Sequence, residues 1–103
     1  MEQRFVRVAR QSEIVPGNMK SVNVAGEHVL ICNVEGEFYA IHDQCTHEYF
    51  PLSSGRLDGS KVTCLLHGAC FDVTTGAVLS PPAYEAVRTY PVRLDGEDIL
   101  IAI

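Results

Sequence analysis

The chain has 103 residues, which sets an expectation of one small domain. Thirteen acidic residues against eight Lys and Arg leave a net charge of −5, and this excludes a nucleic-acid surface, which needs clustered cations to neutralise phosphates. A hydrophobic fraction of 47% excludes a disordered chain, although a core of this size is modest and a bound metal or crosslink would add useful stability. No apolar run, 29–32 among them, approaches the roughly 20 residues a membrane helix needs. Residues 1–7 lack the apolar stretch of a secretory signal, so a soluble cytoplasmic protein is expected.

Taken in chain order, the predicted elements are almost all short strands. Residues 5–9 alternate in part. Ser12-Glu13-Ile14-Val15 is the best helical candidate, a single turn capped by Ser12 and stopped by Pro16-Gly17. Strands at 21–24, 28–34 and 37–42, joined at Ala25-Gly26-Glu27 and Glu35-Gly36, predict a three-stranded meander. Residues 43–58 and 65–69 read as loops. Strands follow at 61–64, 70–73, 77–79, 87–94 and 98–103, with turns at Asp58-Gly59, Thr74-Thr75-Gly76 and Asp95-Gly96. This spacing predicts an all-β fold, an antiparallel sandwich or barrel, with the two loop segments gathered at one end.

Four cysteines in a chain expected to stay in a reducing compartment are metal ligands or buried core groups rather than disulfides. Cys45-Thr46-His47 and Cys64-Leu65-Leu66-His67 each place a thiol and an imidazole where one loop can aim both at a common centre, and 16 residues separate the pairs. Thiolate with imidazole suits zinc or an iron–sulfur cluster and not calcium or magnesium. Zinc fingers normally pair like with like, whereas each loop here supplies one of each donor.

These residues resemble the Rieske family, whose pattern is Cys-x-His, a spacer of about this length, then Cys-x-x-His. The resemblance extends through Pro51-Leu52-Ser53-Ser54-Gly55, His67-Gly68, Phe71-Asp72, Thr75-Gly76 and Pro81-Pro82 and covers essentially the whole chain. It implies one [2Fe-2S] cluster, with Cys45 and Cys64 on one iron and His47 and His67 on the other. It also implies a Rieske fold, with a base from residues 1–43 and 77–103 and a cluster-binding lobe from 44–76. The Pro81-Pro82 segment would be a third loop that shields the cluster from water.

In this arrangement two ferric ions, two sulfides and two thiolates sum to a neutral oxidised centre, which accepts an electron more readily than an all-cysteine one. Family members of high potential carry extra cysteines where this chain has Phe50 and Leu66, and hydroxyl residues where it has Ala69 and Phe71. Lacking those donors, the chain is expected at the low end of the Rieske range, about −150 to −100 mV. It most resembles the soluble Rieske-type ferredoxins of aromatic-ring-hydroxylating dioxygenase systems. The implied partners are a flavoprotein ferredoxin reductase that draws on NAD(P)H and a terminal oxygenase, with the ferredoxin monomeric and not itself an enzyme. An oxygenase subunit would need a second domain holding a mononuclear iron. The alternatives are a small subunit of an assimilatory nitrite reductase and a non-redox module stabilised by zinc. Cys32 and Cys70 read as packed thiols. His28 reads as an exposed residue at a strand start, and His42 as a structural residue ahead of the first loop.

Overall fold

The fold is a computed structural model that describes residues 4–46, 50–65, 68–81, 83 and 85–103. Among the described residues there are eleven strands in chain order: β1 (Phe5–Arg10), β2 (Met19–Val24), β3 (Glu27–Val34), β4 (Glu37–His42), β5 (Arg56–Asp58), β6 (Lys61–Thr63), β7 (Cys70–Asp72), β8 (Val78–Ser80), β9 (Thr89–Tyr90), β10 (Val92–Asp95) and β11 (Asp98–Ala102). Short 3-10 turns occupy Gln11–Glu13 and Leu52–Ser54. The strands form three open antiparallel sheets, ordered β1-β11-β10, β2-β3-β4-β9 and β5-β6-β7-β8. Of the two expected architectures the sheets therefore give the sandwich, and no closed barrel forms among the described residues.

The apolar run at 29–32 marks the middle of the molecule. Successive side chains of a strand point to opposite faces, so a strand covered on both sides reads as continuously apolar. Val29 and Ile31 pack with Ala9, Ile99 and Ile101 of the first sheet, whereas Leu30 and Cys32 pack with Val62 and Phe71 of the third. All four are fully buried. The central sheet thus separates two cores, and the second of them lies beneath the loops.

Both meander turns are tight two-residue connections. Ala25-Gly26 and Glu35-Gly36 all adopt positive φ, the conformation that matches strand twist and favours glycine at the second position. Glu27 consequently belongs to β3, opposite Val24, and not to the turn. The early helical turn also starts one residue before its expected position. Ser12 does not cap it; Glu13 Oε1 instead accepts the Arg10 amide at 2.6 Å.

Residues 87–94 do not form one strand. Pro91 has no N–H to give to a ladder, and the chain changes sheets there. Thr89–Tyr90 pairs with β4, and Val92–Asp95 pairs with β11. A further difference lies in the segment read as loop, where Arg56–Asp58 pairs with Lys61–Thr63 across the Gly59 turn. Three residues with only Leu57 turned inward carry too short an alternation to register in a sequence. The third sheet continues to Ser80 through the pairing of β7 with β8.

Candidate metal centre

Each cysteine of the two motifs sits where a strand gives way to a loop, and the two loops are closed in the same manner. The Cys45 amide donates to the Phe50 carbonyl at 2.9 Å, and the Cys64 amide donates to the Ala69 carbonyl at 2.7 Å, five residues on in both cases. In the second loop Gly68 also donates back to the Cys64 carbonyl at 3.2 Å, with Gly68 at φ 78°, a conformation open to glycine. Both cysteines are almost fully buried, and both belong to the core that contains Leu52, Ala69 and Phe71. His47 and His67 lie outside the described residues; in sequence each falls within one of these closed loops.

The return of the first loop is braced against the root of the second. A Cβ on Gly55 would stand 1.8 Å from the Thr63 carbonyl oxygen, so only glycine permits this approach one residue ahead of Cys64. Thr46, between Cys45 and His47 of the first motif, gives its hydroxyl to the Glu85 carbonyl at 2.8 Å. Ala83, nearby in sequence, is buried in the same core as the cysteines. This ties the segment after Pro81 to the first loop; Pro82 lies outside the described residues.

Asp43 does not stand out in the sequence, yet it is one of two buried polar side chains in the described chain. It accepts hydrogen bonds from Ser21 and from both the hydroxyl and the amide of Ser53. An Asp two positions before the motif and a Ser inside Pro51-Leu52-Ser53 were the available signals. Asp and Ser are so common in loops that neither distinguishes itself.

The remaining cysteines and histidines fall into place around this centre. Cys32 is fully buried and its thiol is pushed up to about 12, first by burial and then by the charge of Asp43. Cys70 also lies within the protein, its Sγ 3.3 Å from Thr63 Oγ1 and donating to the Gly68 carbonyl at 3.3 Å. Burial opposes ionisation of Cys70, but hydrogen bonds from Ser80 and Thr63 and the charge of Lys61 leave its pKa lowered. No disulfide joins any of the cysteines. His28 is exposed on β3, while His42 ends β4 with its Nδ1 3.5 Å from the Tyr90 hydroxyl. Among the described residues no three His, Cys, Asp or Glu side chains gather as an alternative metal site.

Two buried, soft sulfur donors at equivalent positions of two matched loops, with apolar neighbours, fit one side of an iron–sulfur cluster. The chain belongs to the Rieske [2Fe-2S] domain family, whose model matches residues 4–91. Within that family it is a Rieske-type ferredoxin of the aromatic-ring dioxygenase systems, an electron-transfer component and not the oxygenase. It is 44% identical over 98 residues to the biphenyl dioxygenase ferredoxin subunit of Pseudomonas sp. (strain KKS102), covering 94% of this chain and 90% of that one. It is 36% identical over 101 residues to the ferredoxin component of the naphthalene 1,2-dioxygenase system of Pseudomonas aeruginosa, covering 98% and 97%. Among solved structures, it superposes with a TM-score of 0.92 and 32% identity on a chain from the complex of reduced oxygenase and oxidized ferredoxin in carbazole 1,9a-dioxygenase, covering 98% of this chain and 94% of that one. No helix among the described residues is long and apolar enough to cross a membrane.

Proposed function

We propose that Cys45 and Cys64 hold one iron of the cluster and His47 and His67 the other, and that the chain passes single electrons from an NAD(P)H-dependent flavoprotein reductase to a terminal oxygenase acting on an aromatic ring. The observation that carries this reading is the matched closure of the two loops, each with its cysteine rooted in one shared core. When bound, the cluster supplies a one-electron couple. The protein's own part is to hold both sulfur donors away from water and to set the surroundings of the couple. Ala69 and Phe71, both fully buried, bring no hydroxyl to the site, which supports a potential at the low end of the Rieske range.

The partners' face is assigned to the loop end of the molecule. Leu65, one residue after Cys64, is 66% exposed and borders a groove that also contains Arg56 and Gly68. An exposed apolar side chain beside the metal-binding loop suits the small, transient contacts of electron transfer, below about 1,200 Å². The net charge of −5 suits salt-sensitive steering toward positively charged partner surfaces. The relatives named above serve oxygenases of biphenyl and naphthalene, and an aromatic substrate is proposed for the partner oxygenase here.

Purification in air followed by reduction is the first test. A red-brown protein with a rhombic electron paramagnetic signal is expected, whereas a colourless zinc protein would sink the proposal. Replacing His67→Cys is expected to abolish the cluster or leave one of lower potential, because a thiolate adds negative charge to the centre. A variant that keeps the parent spectrum and potential would remove His67 from the ligand set.

A further inference from the structure

At the root of the first loop lies a carboxylate that water hardly reaches. Asp43 is 6% exposed. Its Oδ2 accepts from Ser21 Oγ on β2 and from Ser53 Oγ, both at 2.8 Å, and its Oδ1 accepts from the Ser53 amide at 2.7 Å. Its own amide donates to the His28 carbonyl on β3 at 2.9 Å. None of the salt bridges among the described residues includes it. An ionised carboxylate only accepts hydrogen bonds, and three neutral donors aimed at its two oxygens are the arrangement that stabilises the charge without cancelling it.

The position of this charge matters because Asp43 precedes Cys45 by two residues. Its influence extends into the shared core, since the Cys32 thiol, packed in the same cluster as Cys45 and Cys64, is raised in part by it. We propose that Asp43 is a positioning residue for the metal centre, fixing the root of the first loop against β2 and the Leu52–Ser54 turn, and that its buried negative charge holds the reduction potential down. The inference rests on the ligand assignment of Cys45 made above. A fixed negative charge in a low-dielectric surrounding disfavours the arrival of an electron, and burial protects the effect from screening by salt.

The test compares the parent holoprotein with Asp43→Asn in a redox titration followed by the rhombic paramagnetic signal, at low and high ionic strength. The expected result is a retained signal and an upward shift of potential that persists at high salt. A retained signal with a potential equal to or below the parent's overturns the proposal. If Asp43→Asn does not keep its cluster, Ser53→Ala decides. That variant keeps the charge and removes a donor that offsets it, so its potential is expected to fall, and an unchanged or raised value overturns the proposal. A parent protein without the rhombic signal refutes the ligand assignment itself, and the inference with it.

Discussion

Replacing Gly55→Ala tests whether the two loops depend on a close backbone contact. The new Cβ would lie 1.8 Å from the Thr63 carbonyl oxygen and 3.0 Å from the Thr63 carbonyl carbon, and neither atom belongs to a side chain that can swing away. The backbone segments must therefore separate by about an ångström, placing the cost at the upper end of overpacking, about 3 kcal/mol. For a domain of this size each kcal/mol lowers the melting temperature by about 4–8 °C, so a loss of about 12–24 °C is expected. The contact adjoins Cys64, so visible absorbance should be lost in the same temperature range as the strand signal in circular dichroism. Gly96→Ala is the control. Gly96 has φ 59° with nothing within 4 Å of the added Cβ, so its cost is limited to about 1 kcal/mol of backbone strain. A Gly55→Ala protein that melts no lower than Gly96→Ala would refute the claim that this approach braces the site.

Two other perturbations follow from single contacts. Thr46→Val removes the hydroxyl that bonds the Glu85 carbonyl. Its expected cost is about 1 kcal/mol, with faster amide exchange over 85–88 and an unchanged β2–β3 hairpin; Thr46→Ser restores both measures. At alkaline pH the stability should decline, because Cys32 is raised from 9.0 to about 12 and Tyr90 from 10.0 to about 12. For Tyr90 the leading cause is burial, followed by its hydrogen bond to Glu27. Both groups stay protonated in the native chain while the unfolded chain loses its protons, so stability is full below about pH 9 and is lost progressively toward pH 12. Denaturant midpoints should show Tyr90→Phe less stable at pH 7 but with a shallower decline above pH 10, and equal slopes would remove Tyr90 from this account.

The candidate motifs are legible in short-range chemistry, whereas the departures of the fold from the sequence reading arise in long-range chemistry. The two Cys-His motifs and the glycine turns of the meander depend on spacing within a few residues, which a sequence displays directly. The break at Pro91 depends on which sheet edge waits on either side, and residues 87–94 taken alone look continuous. The short strand at Arg56–Asp58 exists because Lys61–Thr63 lies beside it, and the role of Asp43 needs Ser21 and Ser53 brought from two distant elements. Gly55 belongs to a motif visible in the sequence, but the reason for glycine appears only with the Thr63 carbonyl in place.

The division into two cores makes a prediction about losing the metal. Cys45 and Cys64 are members of the core between the central and third sheets, whereas the core between the central and first sheets contains neither. Metal binding contributes folding free energy where its ligands are packed, because the ligands must be gathered and deprotonated in the folded state alone. Removing the cluster should therefore loosen β5–β8 and the loop roots while β1, β11 and the β3 residues that face them, Val29 and Ile31, keep their packing. Hydrogen exchange of the apoprotein should show amides of Val62, Phe71 and Cys64 losing protection well before those of Ile99 and Ile101. Cys64 and Phe71 amides take part in the third sheet and second loop, so their exchange reports the opening of that unit directly. Uniform loss of protection across both cores would mean that the central strand β3, buried on both faces, transmits the loss, and that the domain opens as one cooperative unit instead of two.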